Sequence, residues 1–168
     1  KMGLYGIGQS VPREEDPRLL MGKGRYADDV SPAGQAHAVV LRSTVAHAIV
    51  CSIDAEFARA SPGVLAVLTG AELKARGLGA QHPSVPRKQR DGSPAHVTPL
   101  PLLADDRVRF VGQPIAFVGA ETLAQAKDAA ELIEVEFDSL PAVVGVDQAV
   151  AEGAQPVWDD NPGNEAFF

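Results

Sequence analysis

The side chains of this 168-residue sequence that could ligate a metal or carry a proton are few: four histidines, one cysteine and scattered carboxylates. His47 and Cys51 stand four apart, a spacing that would share one face of a helix. The segment around them is β-prone, however, and on a strand such positions lie roughly 13 Å apart, too far to share an ion. Ser43 and His47 have the residue types of a nucleophile and its base, but no third group is identifiable to complete a hydrolase triad. Cys51 reads as a small buried apolar residue rather than a nucleophile. The carboxylate pairs Asp28-Asp29, Asp105-Asp106 and Asp159-Asp160 are sequence neighbours, which point to opposite faces of an extended chain and make no acid–base dyad. Asp105-Asp106-Arg107 reads as a turn with a local ion pair. Gly3, Gly6 and Gly8 reverse the order of the dinucleotide fingerprint and follow no strand, and Gly22-Lys23-Gly24 lacks the rest of a phosphate loop. The expectation is therefore no catalytic, cofactor-binding or metal-binding residue in this chain.

Composition narrows the field further. Fifteen Lys and Arg against twenty-two Asp and Glu leave a formal charge of −7, which repels nucleic-acid backbones and anionic lipid. One cysteine cannot supply a thiolate-ligated iron–sulfur cluster or an internal disulfide. No apolar run approaches the roughly 20 residues of a membrane span, and the first residues lack a leader pattern, so the expected compartment is the cytoplasm. A chain of this length buries roughly 70% of its unfolded surface and can hold a core without staples.

The elements that would position any site follow from pattern. Residues 35–42 and 48–53 are β-prone, and Asp54 can cap a short helix over 55–60 that ends at Ser61-Pro62-Gly63. The continuous apolar run 64–68 reads as a buried central strand. Thr69 with Glu72, and Thr122 with Gln125, have capping-box spacing and open helices toward Gly77 and Leu132. Residues 115–120 read as a second buried strand. Ile133, Val135 and Phe137 alternate with acidic residues as a strand with one wet face. Between these elements, 78–101 is a long Pro-rich loop. It carries His82, His96 and the basic run Arg87 to Arg90, a solvated tip or a docking patch for an acidic surface. Two strand–helix–strand units, 48–68 and 115–138, with short helices, imply an α+β domain with a mixed sheet. The expected division is an arm over 1–34, the domain over 35–145 and a connector over 146–168. The ending Ala166-Phe167-Phe168 reads as that of a severed polypeptide.

Several co-linear blocks carry a resemblance. They are Arg13 to Asp29 (REEDPRLLMGKGRYADD), Leu41 to Ile49 (LRSTVAHAI), Pro62 to Gly70 (PGVLAVLTG), Arg107 to Ala116 (RVRFVGQPIA), and Ala129-Ala130-Glu131 leading to Leu140-Pro141-Ala142. In this order they resemble the molybdenum-binding large subunit of the xanthine dehydrogenase, aldehyde oxidase and carbon monoxide dehydrogenase family. The resemblance implies its N-terminal α/β-hammerhead domain. It also implies a complete oxidoreductase that takes oxygen from water to hydroxylate aldehydes or N-heterocycles, or that oxidises carbon monoxide. Molybdopterin, [2Fe-2S] clusters and FAD would belong to that complete enzyme, held by C-terminal molybdopterin-binding domains and by iron–sulfur and FAD domains or subunits. For this chain it implies scaffolding. Arg13, Arg18 and Tyr26 in the arm, and Arg42, Ser43 and His47 in the next block, are the expected interface residues. The alternative is a standalone ligand- or protein-binding module that reuses the fold, with 78–101 as its recognition element.

Overall fold

The computed structural model describes Gly8 and residues 13–166. Gly3, Gly6, Phe167 and Phe168, named above, lie outside the described residues. The chain divides into two compact units, Lys1–Gln35 and Ala36–Phe168. The first holds a short helix α1, Asp16–Leu20, opened by Pro17 in its first turn, and a 3-10 turn at Ala27–Asp29. Pro suits that position because its missing N–H would have no helical acceptor there.

The second unit is built on two three-stranded sheets. One has the order β1 (His37–Arg42), β7 (Pro114–Ala120), β3 (Val64–Thr69), and the other β6 (Arg107–Val108), β2 (Ala48–Asp54), β8 (Glu134–Ser139). Every ladder between them is antiparallel. Helices α2 (Glu56–Ala60), α3 (Gly70–Ala75), α4 (Leu123–Glu131) and α5 (Val146–Ala149) are all short. The α+β class expected from the sequence stands, with antiparallel sheets inside it. The two strand–helix–strand units each step from one sheet to the other, β2 to β3 and β7 to β8, so neither closes a parallel pair.

Two readings need correction. The run 64–68 is not central: β3 is an edge strand, with Leu65 exposed at an irregularity in the ladder between Val64 and Ala66. Such a bulge twists an edge away from further pairing. Cys51 is exposed rather than buried, and sits at the register shift between Val50 and Ser52.

One core lies between the first sheet and helices α2 and α4, where Ala116, Val118 and Ala120 of β7 meet Ala126, Ala129 and Ala130. Alanines on both sides let the helix lie close to the strand. A second core gathers Ala48, Val50, Ala104, Val108 and Ile115. Ile53 and Val135, opposite one another on β2 and β8, pack against both. Both capping boxes form. Thr69 N–H donates to Glu72 Oε2 at 2.8 Å, and Thr122 Oγ1 accepts from Gln125 N–H at 3.2 Å. The 78–101 segment is more ordered than its composition suggests: β4 (Ala80–Gln81) pairs with β5 (Leu100–Pro101), and Lys88 bridges to Pro94.

Two positions test this packing. A Cβ on Gly70 would stand 2.6 Å from the Ala104 carbonyl oxygen. Gly70→Ala is therefore expected to lower unfolding free energy by about 1–3 kcal/mol in urea titration, while Gly79→Ala, where nothing lies within 4 Å, stays within about 0.5 kcal/mol of the parent. Glu72 also accepts from Arg59 Nη2 at 2.9 and 3.0 Å. Burial pushes its carboxyl up, but Arg59 and the Thr69 hydrogen bonds outweigh that and hold it below the ordinary glutamate value. The lowered folded pKa makes its stabilisation full above the unfolded value. Because the pair is partly exposed, Glu72→Gln should cost only about 0.5–1 kcal/mol at neutral pH. The difference in melting temperature should close as the pH falls below about 4.

Candidate functional site

Strand alternation fixes which side of the first sheet each residue occupies. With 116, 118 and 120 turned to α4, Phe117 and Gly119 face the other way. The ladder register sets Phe117 between Val40 and Leu68, and Gly119 between Ala38 and Ala66. The Phe117 ring leans across Gly119, 3.5 Å from where a Cβ would stand. Leu73, Leu102 and Leu103 close in from the side, leaving an apolar groove of about 290 Å³ that Arg42 also lines. Arg42 Nη1 donates to the Gly112 carbonyl at 2.9 Å.

A second apolar surface surrounds α5. Val144 is 85% exposed and Val146 80%, with Val150 one turn beyond. A cavity of about 340 Å³ runs from Val143 and Val146 to Val157 and Trp158. Trp158 is held from beneath: the Arg109 guanidinium lies 4.0 Å from its ring centroid, and Arg109 Nε–H donates to the Val157 carbonyl at 3.2 Å. Burial lowers the Arg109 pKa while Asp106, at 4.0 Å, opposes the shift. A guanidinium so placed stays charged and keeps its attraction to the ring.

The residues singled out in the sequence fall in separate places. Arg18 meets Glu15 at 3.4 Å, Tyr26 N–H donates to Asp29 Oδ2 at 2.8 Å, and Arg13 is exposed. Arg42 and Ser43 come together on the turn Phe110–Gln113. Ser43 is buried at 3% exposure, its N–H donating to the Gln113 carbonyl and its carbonyl accepting from Gly112 N–H. Gly112 has φ +88°, which glycine adopts without strain. His47, at 4% exposure, bonds through Nδ1 to the Pro141 carbonyl at 2.8 Å. A carbonyl only accepts, so the proton sits on Nδ1. Ser43 Oγ meanwhile donates to the Val45 carbonyl at 2.7 Å. Ser43 Oγ and His47 Nδ1 are thus committed to backbone, while the buried His47 Nε2 has no hydrogen-bond partner among the described residues. Arg107 pairs with Asp159 at 3.0 Å rather than with its neighbouring aspartates.

Sequence reasoning missed Gln113, Arg109 and Trp158. Gln113 is 1% exposed, and its Oε1 accepts from Arg109 N–H at 2.7 Å, an amide buried to hold the β6–β7 turn. A polar Gln inside an apolar run, followed by Pro, was the available signal.

A family model described as aldehyde oxidase and xanthine dehydrogenase, a/b hammerhead domain, matches residues 21–141. The chain is 40% identical over 164 residues to the nicotine 6-hydroxylase large subunit of Paenarthrobacter nicotinovorans, covering 94% of this chain and 19% of that protein. Among solved structures, quinoline 2-oxidoreductase from Pseudomonas putida 86 superposes with a TM-score of 0.78 at 42% identity, over 94% of this chain and 19% of that one. The Cu,Mo-CO dehydrogenase in its carbon monoxide reduced state gives 0.71 at 39% identity, over 89% and 18%. The chain therefore spans about a fifth of the length of the relatives it matches.

The exposed and half-buried apolar residues should separate in a stability assay of this chain. Val144→Ser and Val146→Ser are each expected to leave unfolding free energy within about 0.5 kcal/mol of the parent. Phe117→Ala should lower it by about 1–3 kcal/mol, less than for a fully buried ring.

Proposed function

The chain belongs to the aldehyde oxidase and xanthine dehydrogenase family, as its α/β-hammerhead domain, and we propose that it serves as a packing scaffold in a molybdenum hydroxylase large subunit, without a reaction centre of its own. The observation that carries this reading is the pair of bare apolar surfaces, the groove beside Phe117 and the valines around α5. Apolar patches of this kind mark surfaces that other protein covers. The relatives are about five times longer, so most of each one is available as cover. In this reading the cover consists of the molybdopterin-binding domains, with iron–sulfur and FAD domains or subunits further off, all working in the cytoplasm. Arg13, Arg18, Tyr26, Arg42, Ser43 and His47 contribute to that packing, Ser43 and His47 by holding backbone and the others through exposed polar groups.

The residues of this chain do not fit the family's redox groups. A [2Fe-2S] cluster takes four thiolate ligands and the sequence has one cysteine. Among the described residues no three His, Cys, Asp or Glu side chains converge as a metal site. Phosphate-bearing cofactors favour helix N-terminal amides, but the first turns of α3 and α4 are occupied by their own Glu72 and Thr122 caps. What the domain offers the reaction is rigid cover, which keeps water from a centre held elsewhere and fixes its surroundings. Among the described residues no helix is long and apolar enough to cross a membrane.

Two measurements test the reading. The purified chain should show no dye-coupled oxidation of aldehydes or N-heterocycles and hold no stoichiometric molybdenum; turnover by the chain alone would overturn it. Val144→Ser with Val146→Ser, silent in the isolated chain, should lower molybdenum content and activity severalfold when introduced into a complete large subunit carrying this domain. Full loading and activity there would mean that the valines face solvent in the enzyme.

A further inference from the structure

Among the described residues, one backbone hydrogen bond joins the 82–98 loop to chain beyond its β4–β5 base: His96 N–H donates to the Ala166 carbonyl at 2.8 Å. Gln89 Nε2 donates to the same oxygen at 3.3 Å, and His96 Nε2 stands 3.7 Å from Asp160 Oδ1. The 157–166 segment, whose Ala166 carbonyl accepts both hydrogen bonds, is built around Asn164. Its Oδ1 accepts from Val157 N–H at 2.8 Å, and its Nδ2 donates to the Ala149 and Gln155 carbonyls. Asn164 takes a left-handed φ of 55°, which asparagine tolerates better than most residues. The other side of the segment grips β6, through Arg107–Asp159 and the Arg109–Trp158 stack. One short segment therefore holds a sheet strand with one face and the long loop with the other.

We propose that 157–166 is a clasp: its seating on β6 orders the 82–98 loop, and its release frees that loop while both cores stay folded. The cavity of about 640 Å³ between the loop and Ala166, walled by His82, Val85, His96 and Val97, then exists only in the clasped state. The coupling is reciprocal, as any equilibrium linkage must be, so a disturbed loop loosens the segment in turn. A displacement of the chain near Ala166 reaches the loop through the Ala166 carbonyl oxygen, which accepts from both His96 N–H and Gln89 Nε2.

Trp158→Ala and Asn164→Ala weaken the clasp at different points and leave the loop sequence intact. In this chain, trypsin cleavage at Arg87, Lys88 and Arg90 reads the loop, and amide exchange reads 157–166 and β7 separately. In each variant, exchange in 157–166 and cleavage at the loop tip should both rise by about tenfold or more, with β7 unchanged. In the parent chain, nicking at Lys88 should shift the emission of Trp158, the single tryptophan. Faster exchange in 157–166 with loop cleavage at the parent rate would overturn the proposal. So would accelerated β7 exchange in both variants, which would make the segment part of the core, or unchanged 157–166 exchange in both, which would mean these contacts do not hold it.

Discussion

Strand β7 carries hydrogen-bond ladders along both edges, to β1 and to β3, so its side chains can find cover only above and below the sheet. Above, the three alanines of α4 meet Ala116, Val118 and Ala120. Side chains this small give little area each but permit close approach, and dispersion grows with the number of such contacts. Below, cover is partial: Ile115 joins the second core and Leu73 of α3 lines the groove. Phe117 folds over Gly119, Leu102 and Leu103 lean in, and a groove remains. A sheet covered fully on one side and partly on the other leaves room for a further layer. The proposed role follows from that imbalance more than from any single residue.

The same constraint bears on Ser43 and Gln113, whose hydrogen bonds join the turn before β7 to the residue after β1. The second sheet must be held against the first, and two links accomplish it. Ile53 and Val135 touch both cores. The turn before β7 is fastened by buried hydrogen bonds: Gln113 Oε1 takes Arg109 N–H, and Ser43 exchanges backbone bonds with Gly112 and Gln113. Burying an amide or hydroxyl is unfavourable unless its hydrogen bonds are satisfied. Once satisfied, such bonds fix one register where an apolar contact would allow several. Ser43 and Gln113 hold the place where chain passes between sheets, which accounts for polar types in an otherwise apolar run without invoking chemistry.

What could be read in advance was local. Thr69 with Glu72 and Thr122 with Gln125 are three residues apart, so each capping box is written within one helical turn. The alternation at 133–138 likewise needs no knowledge of partners. The apolar run 64–68 misled because composition records burial of side chains, not the number of neighbouring strands. A strand backed by helices on one face and edged by a bulge is as apolar as a central one. Cys51 was misplaced because its residue type was read ahead of strand alternation: with Ala48 and Val50 buried it follows Ile49 to the outer face, and the register shift between Val50 and Ser52 then brings Ile53 inward. Arg109 and Trp158 are 49 residues apart, and Ala166 is farther still from His96. Contacts over such separations belong to the tertiary fold alone. The bare valines of α5 were invisible for the complementary reason: a valine's exposure is a property of what fails to cover it.

A domain whose polar groups are spent on its own backbone can be rigid without being reactive. Catalytic groups need unsatisfied hydrogen-bonding capacity, shifted protonation or an open ligand position. Here Ser43 Oγ and His47 Nδ1 meet carbonyls, α3 and α4 open on their own capping boxes, and Arg109 is held by a tryptophan ring and carbonyl oxygens, while the buried His47 Nε2 has no partner among the described residues. The larger uncommitted surface is apolar, on the sheet face and around α5. Apolar surface is non-directional and suits broad packing, whereas directed chemistry requires donors and acceptors. The division of labour proposed for this domain thus reflects how its hydrogen bonds are already committed: its polar groups serve the fold, and its bare surface serves the neighbours.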